Sequence, residues 1–327
     1  MVSNVRWRIG LLVTYLIKPV FYKENVRTLK YLVSNPTILC LYLLWKLGIK
    51  KAFVIELEGN HISVSNDQDF LTFAHVLRLY SANFKYCMGP DEGSITFCYE
   101  KRRITLKFHG IQIFDILSLV DKFAQIDMKY NSLIVEGKDL LDIGGNIGDT
   151  AIFYSLKAAR RIISLEPNPV YYKLAIENIK TNKFENITIL NEGAGMPSYL
   201  KVAEKPLDRI GLPQLESISE THEPFREIRI RNLDQLVEEY VLHGAVLKVI
   251  CVGCEQDLFK FSSDKAIMEF DQILIVCVTN WKLLKYRLKK LNFRVMILSH
   301  DYVRNPFLQL SNVELVSLLA TKADHSL

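Results

Sequence analysis

The stretch Lys138-Asp-Leu-Leu-Asp142-Ile-Gly144-Gly145-Asn146-Ile-Gly148-Asp149-Thr150 decides the fold. Its first half is a short apolar run, which predicts a buried strand over Lys138–Ile143. Gly144 and Gly145 follow, residues that let a backbone turn tightly and pass close to another group. Gly148 leaves room for a helix over Ile147–Ala159 to pack on that strand, and the unpaired amides of the helix start face the turn. Reading outward, Arg161–Leu165 is a second buried strand that ends at Glu166. Pro169–Asn182 is a second helix with Pro169 in its first turn, and Asn186–Leu190 is a third strand. Strand, helix, strand, helix, strand at this spacing requires right-handed crossovers, and therefore a parallel sheet with helices on both faces.

The alternation resumes further along the chain. Ala245–Cys251 reads as a strand, Gln256–Phe261 as a helix, Gln272–Val278 as a strand and Trp281–Leu291 as a helix. Phe293–Ser299 and Val313–Ala320 close the pattern as an antiparallel hairpin at the sheet edge. Between these halves, Gly195–Glu227 is rich in Pro, Ser and charge and reads as an inserted loop or flap on the substrate side. The amino-terminal region has another rhythm. Two helices within residues 1–51 break near Ser34-Asn35-Pro36. Strands over Ala52–Glu58, His61–Val64, Ser94–Tyr99 and Ile104–Phe108, and a helix over Asp67–Ala82, follow. The expected organisation is an accessory α+β region, residues 1–125, before an α/β domain, residues 126–327, on a mostly parallel, seven-stranded Rossmann-like sheet.

With 327 residues, 49% of them apolar and 24% charged, the chain has the balance of a globular protein. Its net charge of +5 is unevenly placed. Residues 1–51 hold nine basic side chains against the single acid Glu24, a local +8 that leaves −3 for the remainder. Such an end points to an anionic partner such as a membrane surface or nucleic acid, although a solvated helical face accounts for the same charges. No apolar run reaches the roughly 20 residues that a membrane-spanning helix needs. Ile9–Ile17 stops at Lys18-Pro19, with no small-residue cleavage site after it, and Thr37–Trp45 stops at Lys46. The expected location is cytoplasmic, with peripheral membrane contact through residues 1–51. Six scattered cysteines do not make a secreted disulfide framework. The lone Cys251-Val-Gly-Cys254 lacks the second pair a zinc site needs and reads as small buried residues near a strand end. The seven histidines show no metal spacing, so no metal is expected.

The glycine turn carries the chemistry. Glu166 ends the second strand, 24 residues beyond Asp142, where a carboxylate accepts hydrogen bonds from the ribose hydroxyls of a nucleoside. Asn191 ends the third strand on the same edge. This spacing does not by itself choose between a dinucleotide and S-adenosylmethionine. A dinucleotide turn reads GxGxxG with pyrophosphate on the helix start. Here Asp142 and Asp149 flank the turn, a poor setting for pyrophosphate and a suitable one for a cationic sulfonium and amino group.

Leu141-Asp-Ile-Gly-Gly-Asn-Ile-Gly-Asp-Thr-Ala-Ile-Phe-Tyr154, then Leu165-Glu-Pro-Asn-Pro169, then Glu177, Asn178 and Asn182, resemble the FkbM-type S-adenosylmethionine-dependent methyltransferases, their archaeal members especially. The resemblance covers about residues 125–322. It implies a class I methyltransferase fold, S-adenosylmethionine as cofactor and methyl transfer to a hydroxyl of a sugar, glycan or small molecule. It carries cofactor contacts over to Asp142, Gly144, Asn146, Gly148, Asp149, Glu166, Pro167 and Asn191, with Gly145 completing the turn. One departure stands out. Where the family reads Lys-hydrophobic-Asp-x-Glu-Gly-x-Glu after the fourth strand, this chain reads Lys248-Val-Ile250-Cys-Val252-Gly-Cys-Glu255. Lys248 and Glu255 remain as candidate catalytic groups, or as a plain salt bridge, while Ile250 and Val252 replace two acids. The leading expectation is an O-methyltransferase. The alternative is a catalytically impaired cofactor-binding or interaction protein. A nucleic-acid substrate is not expected, because no Asn-Pro-Pro-Tyr-like motif is present and the catalytic half is not basic.

Overall fold

The computed structural model describes residues 31–57, 60–65, 85–88, 92–99, 101–109, 122–123, 128–204, 224–251, 253–278, 280–303 and 313–323. The expected helix over Asp67–Ala82 and the first 30 residues lie outside these. The chain divides into two compact units: Met1–Ile104 with Phe108–Val120, and Asp121–Leu327 with Thr105–Lys107.

In the first unit, helix α1 (Pro36–Lys46) starts on a proline after Asn35. Strands β1 (Phe53–Leu57) and β2 (Asn60–Val64) pair antiparallel. Phe53, Ile55 and Val64 are buried, the period-2 signature of a half-buried strand. A second sheet orders β3 (Lys85–Met88), β4 (Glu92–Tyr99) and β5 (Arg102–His109). Ile95, Phe97 and Tyr99 alternate inward along β4, as do Ile104, Leu106 and Phe108 along β5. No helix among the described residues is long and apolar enough to cross a membrane.

The second unit is organised by a seven-stranded sheet. Its members are β6 (Asp139–Ile143), β7 (Arg161–Leu165), β8 (Ile187–Leu190), β12 (Ala245–Val249), β13 (Phe270–Cys277), β14 (Phe293–Val303) and β15 (Val313–Lys322). The spatial order is β14-β15-β13-β12-β6-β7-β8. Every pairing is parallel except those of β15, which runs antiparallel to both β13 and β14. The order is that of the class I methyltransferase fold. The expected closing hairpin is present at the sheet edge. β15 is slotted inside and β14 takes the rim, because Val316 to Ala320 form an unbroken buried run that needs neighbours on both sides.

β6, β12 and β13 are buried along their whole length, as strands covered on both faces must be. After the short α2 (Met128–Asn131), helices α3 (Asp149–Leu156) and α4 (Pro169–Thr181) follow β6 and β7. Asn168 caps α4, its side chain accepting from the amides of Val170 and Tyr171 at 2.9 and 3.2 Å. One turn apart on α4 and at its end, the buried Asn178 and Asn182 each form a two-way amide contact with Thr105–Lys107. The Asn178 Oδ1 accepts from Lys107 N at 2.7 Å, and the Asn182 Oδ1 from Thr105 N at 2.9 Å. Their amide groups donate back to Lys107 O and Thr105 O at 3.0 and 2.6 Å. These asparagines bind backbone.

Two readings need correction. The Gly195–Glu227 segment is not all loop. β10 (Ser198–Ala203) pairs antiparallel with β11 (Phe225–Arg231), which adds β9 (Gly193–Ala194) in parallel. These strands are mostly exposed, so their polar composition resembles that of a loop. Two helices were also missed. α5 (Leu233–Tyr240) starts on a capping box between Asn232 and Gln235. After α6 (Cys254–Lys260), α7 (Asp264–Met268) is capped by Ser263. α8 (Trp281–Lys290) follows β13 as expected.

Candidate functional site

The candidate site forms where β6, β7, β8 and β12 end, the carboxyl edge at which open α/β sheets bind ligands. β6 runs into Gly144, which has φ of +85°. A Cβ there would fall 2.1 Å from the Ile250 carbonyl oxygen and 3.3 Å from the Cys251 Cα, so the turn lies directly against the end of β12. The amides of Gly144 and Gly145 both donate to Leu165 O, at 3.0 and 2.9 Å, while Ile250 N donates to Ile143 O at 3.0 Å. Gly148 closes the turn with an amide bond to Gly145 O at 2.8 Å and is the N-cap of α3. The turn is thereby tied to the two strands on either side of β6.

Both aspartates of the motif are buried and both have cations. Lys248 Nζ lies 2.7 Å from Asp142 Oδ1 and donates to Gly144 O at 2.8 Å and Ile143 O at 3.3 Å. Ser164 adds a hydroxyl bond to Asp142 Oδ2 at 3.0 Å. Asp149, the first residue of α3, pairs with Lys122, which is only 1% exposed. Lys122 also donates to Thr150 Oγ1 at 2.7 Å and stands 4.7 Å from the Tyr130 ring centre. Burial, the largest influence, pushes the Lys122 pKa down, but Asp149, Tyr130 and Asp142 together outweigh it, and the net direction is up. The surplus negative charge inferred from the two aspartates is therefore balanced within the fold.

Glu166 is different. It is buried, and its Oε2 accepts from Asn146 N and its Oε1 from Asn168 N, each at 2.8 Å. Desolvation dominates and pushes its pKa up to about 7, against the two amide bonds and the more distant Lys248, which pull it down. Asn146 reaches this bond through a positive φ of 46°. The loop past Glu166 is fixed from β8: Asn191 Nδ2 donates to Glu166 O and Pro167 O at 3.0 and 3.1 Å. Asn191 also accepts from Arg226 of β11 at 3.4 Å. The cofactor residues expected from the sequence lie together on this edge: Asp142 near the end of β6, Gly144 to Gly148 in the turn, Asp149 at the start of α3, and Glu166, Pro167 and Asn191 in the loops after β7 and β8.

Lys248 and Glu255 sit at the base of the edge, not on its surface. Lys248 is 2% exposed and committed to Asp142 and the turn carbonyls. Glu255 is fully buried on α6, accepting from Gly253 N at 2.6 Å and Val278 N at 3.1 Å. The two do not pair with each other. Each acts on backbone: Lys248 holds the turn, and Glu255 holds the start of α6 to the end of β13. Ile250 is half-buried beside Gly144, and Val252 lies outside the described residues.

The sequence predicts small buried residues at Cys251 and Cys254. The structure joins the two half-buried cysteines in a disulfide, with Cα atoms 5.6 Å apart. The turn between β12 and α6 brings them together. Lys122 also went unnoticed, since a lone lysine 27 residues before its partner carries no spacing signal.

No profile of a known protein family matches the chain, and no curated protein does. Among solved structures it is similar to precorrin-6y C5,15-methyltransferase from Geobacter metallireducens, with 16% identity over 60% of this chain and 86% of that one, and a TM-score of 0.33. It is similar to TYW2 of M. jannaschii in complex with AdoMet, with 14% identity over 72% and 87% of the two chains and a TM-score of 0.37. For a putative SAM-dependent methyltransferase from Streptococcus mutans, identity is 10% over 72% and 57%, and the TM-score is 0.39.

Proposed function

We propose that this chain binds S-adenosylmethionine at the ends of β6 and β7 and directs its methyl group to a hydroxyl of a sugar, glycan or other small molecule, in the FkbM manner. Glu166 carries the reading. A carboxylate offers about four acceptor sites; two are used by the amides of Asn146 and Asn168, and the others remain for ribose hydroxyls. Gly144 and Gly145 hold the turn close beside it, since a Cβ at either would meet Ile250 O at 2.1 Å or Ser164 Oγ at 2.3 Å. With Asp142 and Asp149 both neutralised, the preference over a dinucleotide rests on the reversed β15 within the sheet.

The bound cofactor supplies an electrophilic methyl group. The protein's part is positional: Lys248 and Asp142 hold the turn, and Asn191 fixes the loop bearing Glu166. Calorimetric titration with S-adenosylmethionine tests this. Loss of a hydrogen bond to a charged group costs about 1.5–3 kcal/mol, so Glu166→Ala binds roughly 10- to 100-fold more weakly. Absence of saturable binding to the intact protein refutes the reading.

A second reading has its own support. Ile250 puts hydrocarbon where the FkbM pattern has an acid, and Lys248 and Glu255 are committed to internal partners. On this reading the chain binds cofactor but transfers methyl poorly. Restoring both acids, Ile250→Asp with Val252→Glu, then raises turnover without changing cofactor affinity.

A further inference from the structure

We infer that Cys251 and Cys254 are a site of reversible thiol–disulfide exchange whose closure sets how firmly the cofactor turn is held; the inference deepens the proposed cofactor site and rests on it. Cys251 lies just after β12, next to the turn, and Cys254 is the first residue of α6. The Cβ that Gly144 lacks would meet Ile250 and the Cys251 Cα, so any movement of this segment is felt by the turn. One end of the segment is anchored in the sheet, where Ile250 N donates to Ile143 O at 3.0 Å. The other end is anchored through Gly253, whose amide donates to the buried Glu255 at 2.6 Å. Between these anchors the disulfide is a covalent brace. Neither cysteine is fully buried, so a small thiol has a path to the sulfurs.

The exchange balances with a small thiol as the two-electron reductant. A thiolate of a small dithiol or of glutathione attacks one sulfur, the S–S bond breaks, and the departing Cys thiolate takes a proton. A second reductant thiolate displaces the mixed disulfide. Two protein thiols and one oxidised reductant result, a transfer of two electrons. In a reducing compartment the brace opens, and in an oxidising one it is closed. The closed form pre-orders the segment behind Gly144 and gives the tighter cofactor site.

The test uses the full chain and S-adenosylhomocysteine as the probe. Intact-mass measurement after alkylation, before and after a phosphine reductant, counts the thiols without reference to any cofactor. Cys40 and Cys98, which are exposed and free, are replaced by serine in all samples to remove unrelated thiols. The expected result is two alkylated thiols gained on reduction, with affinity falling at least fivefold. The Cys251→Ser/Cys254→Ser variant then binds like the reduced protein and ignores the reductant. Equal affinity in the two redox states overturns the inference, as does a pair that stays reduced under glutathione disulfide. Binding in neither state, with the disulfide still opening and closing by mass, refutes the cofactor reading and the control of it together, while leaving the exchange site standing. Affinity that falls in wild type and equally in the serine variant assigns the effect to the reductant and also overturns the inference.

Discussion

Asp142 and Glu166 are carboxylates on neighbouring strands of the same edge, and both are buried, yet the fold treats them oppositely. Asp142 has a lysine 2.7 Å away and a serine hydroxyl at 3.0 Å. Among the described residues Glu166 accepts from two backbone amides, and its pKa rises to about 7. A buried carboxylate with its own counter-charge is a structural member. One that is met by amides alone keeps acceptor capacity and an ionisation state that a ligand can use. Asp149 sides with Asp142, through Lys122.

The largest effect expected from this division is on stability. Lys248→Met leaves Asp142 as an uncompensated buried charge, at a cost of about 3–5 kcal/mol in urea-induced unfolding. Asp142→Leu combined with Lys248→Met removes both charges and recovers most of that loss. If the single variant is no less stable than the double, Asp142 is not held by Lys248 and the contrast with Glu166 collapses.

A smaller effect separates two glycines. Gly144→Ala imposes a left-handed side chain and drives a Cβ to within 2.1 Å of the Ile250 carbonyl, a backbone atom that cannot step aside. Strain and overpacking together amount to about 2–4 kcal/mol. Gly137 has φ of +68° but nothing within 4 Å of its Cβ position, so Gly137→Ala costs only about 1–2 kcal/mol. Equal melting temperatures for the two would show that β12 does not press on the turn.

The sequence and the structure agree where local periodicity carries the information. The apolar run over Leu140–Ile143, the glycine pair and the acid after the second strand are short-range patterns, and each is where it was expected. What was not legible depended on distance or exposure. Lys248 meets Gly144 O across 104 positions of sequence, and no spacing announces it. The motif after the fourth strand invited a catalytic reading of Lys248 and Glu255, whereas burial turns both towards backbone. β11 reads Phe-Arg-Glu-Ile-Arg-Ile-Arg; its outer face is solvent-exposed, and the charge there disguised a strand as a flap. The slot taken by β15 was hidden for another reason. A hairpin has two apolar arms, and only the length of the buried run says which arm is inside.

The last comparison isolates Glu166. Its folded pKa, about 7, lies above the usual 4.5 of an unfolded glutamate. Between these values the native protein holds a proton that the unfolded chain has released. Stability without ligand therefore falls as pH rises from 4.5 to 7, by up to about 1.4 kcal/mol per unit from this group. Cofactor affinity moves the other way. Ribose hydroxyls need the ionised acceptor, so binding tightens as pH rises towards 7 and levels off above it, with roughly a tenfold span between pH 6 and 8. Glu166→Gln cannot ionise and flattens both profiles. Paired calorimetry and urea titrations across pH 5–8 read the two slopes. Slopes of the same sign would mean that the proton on Glu166 is not what separates the bound form from the free one, and the carboxylate would join Asp142 as part of the frame.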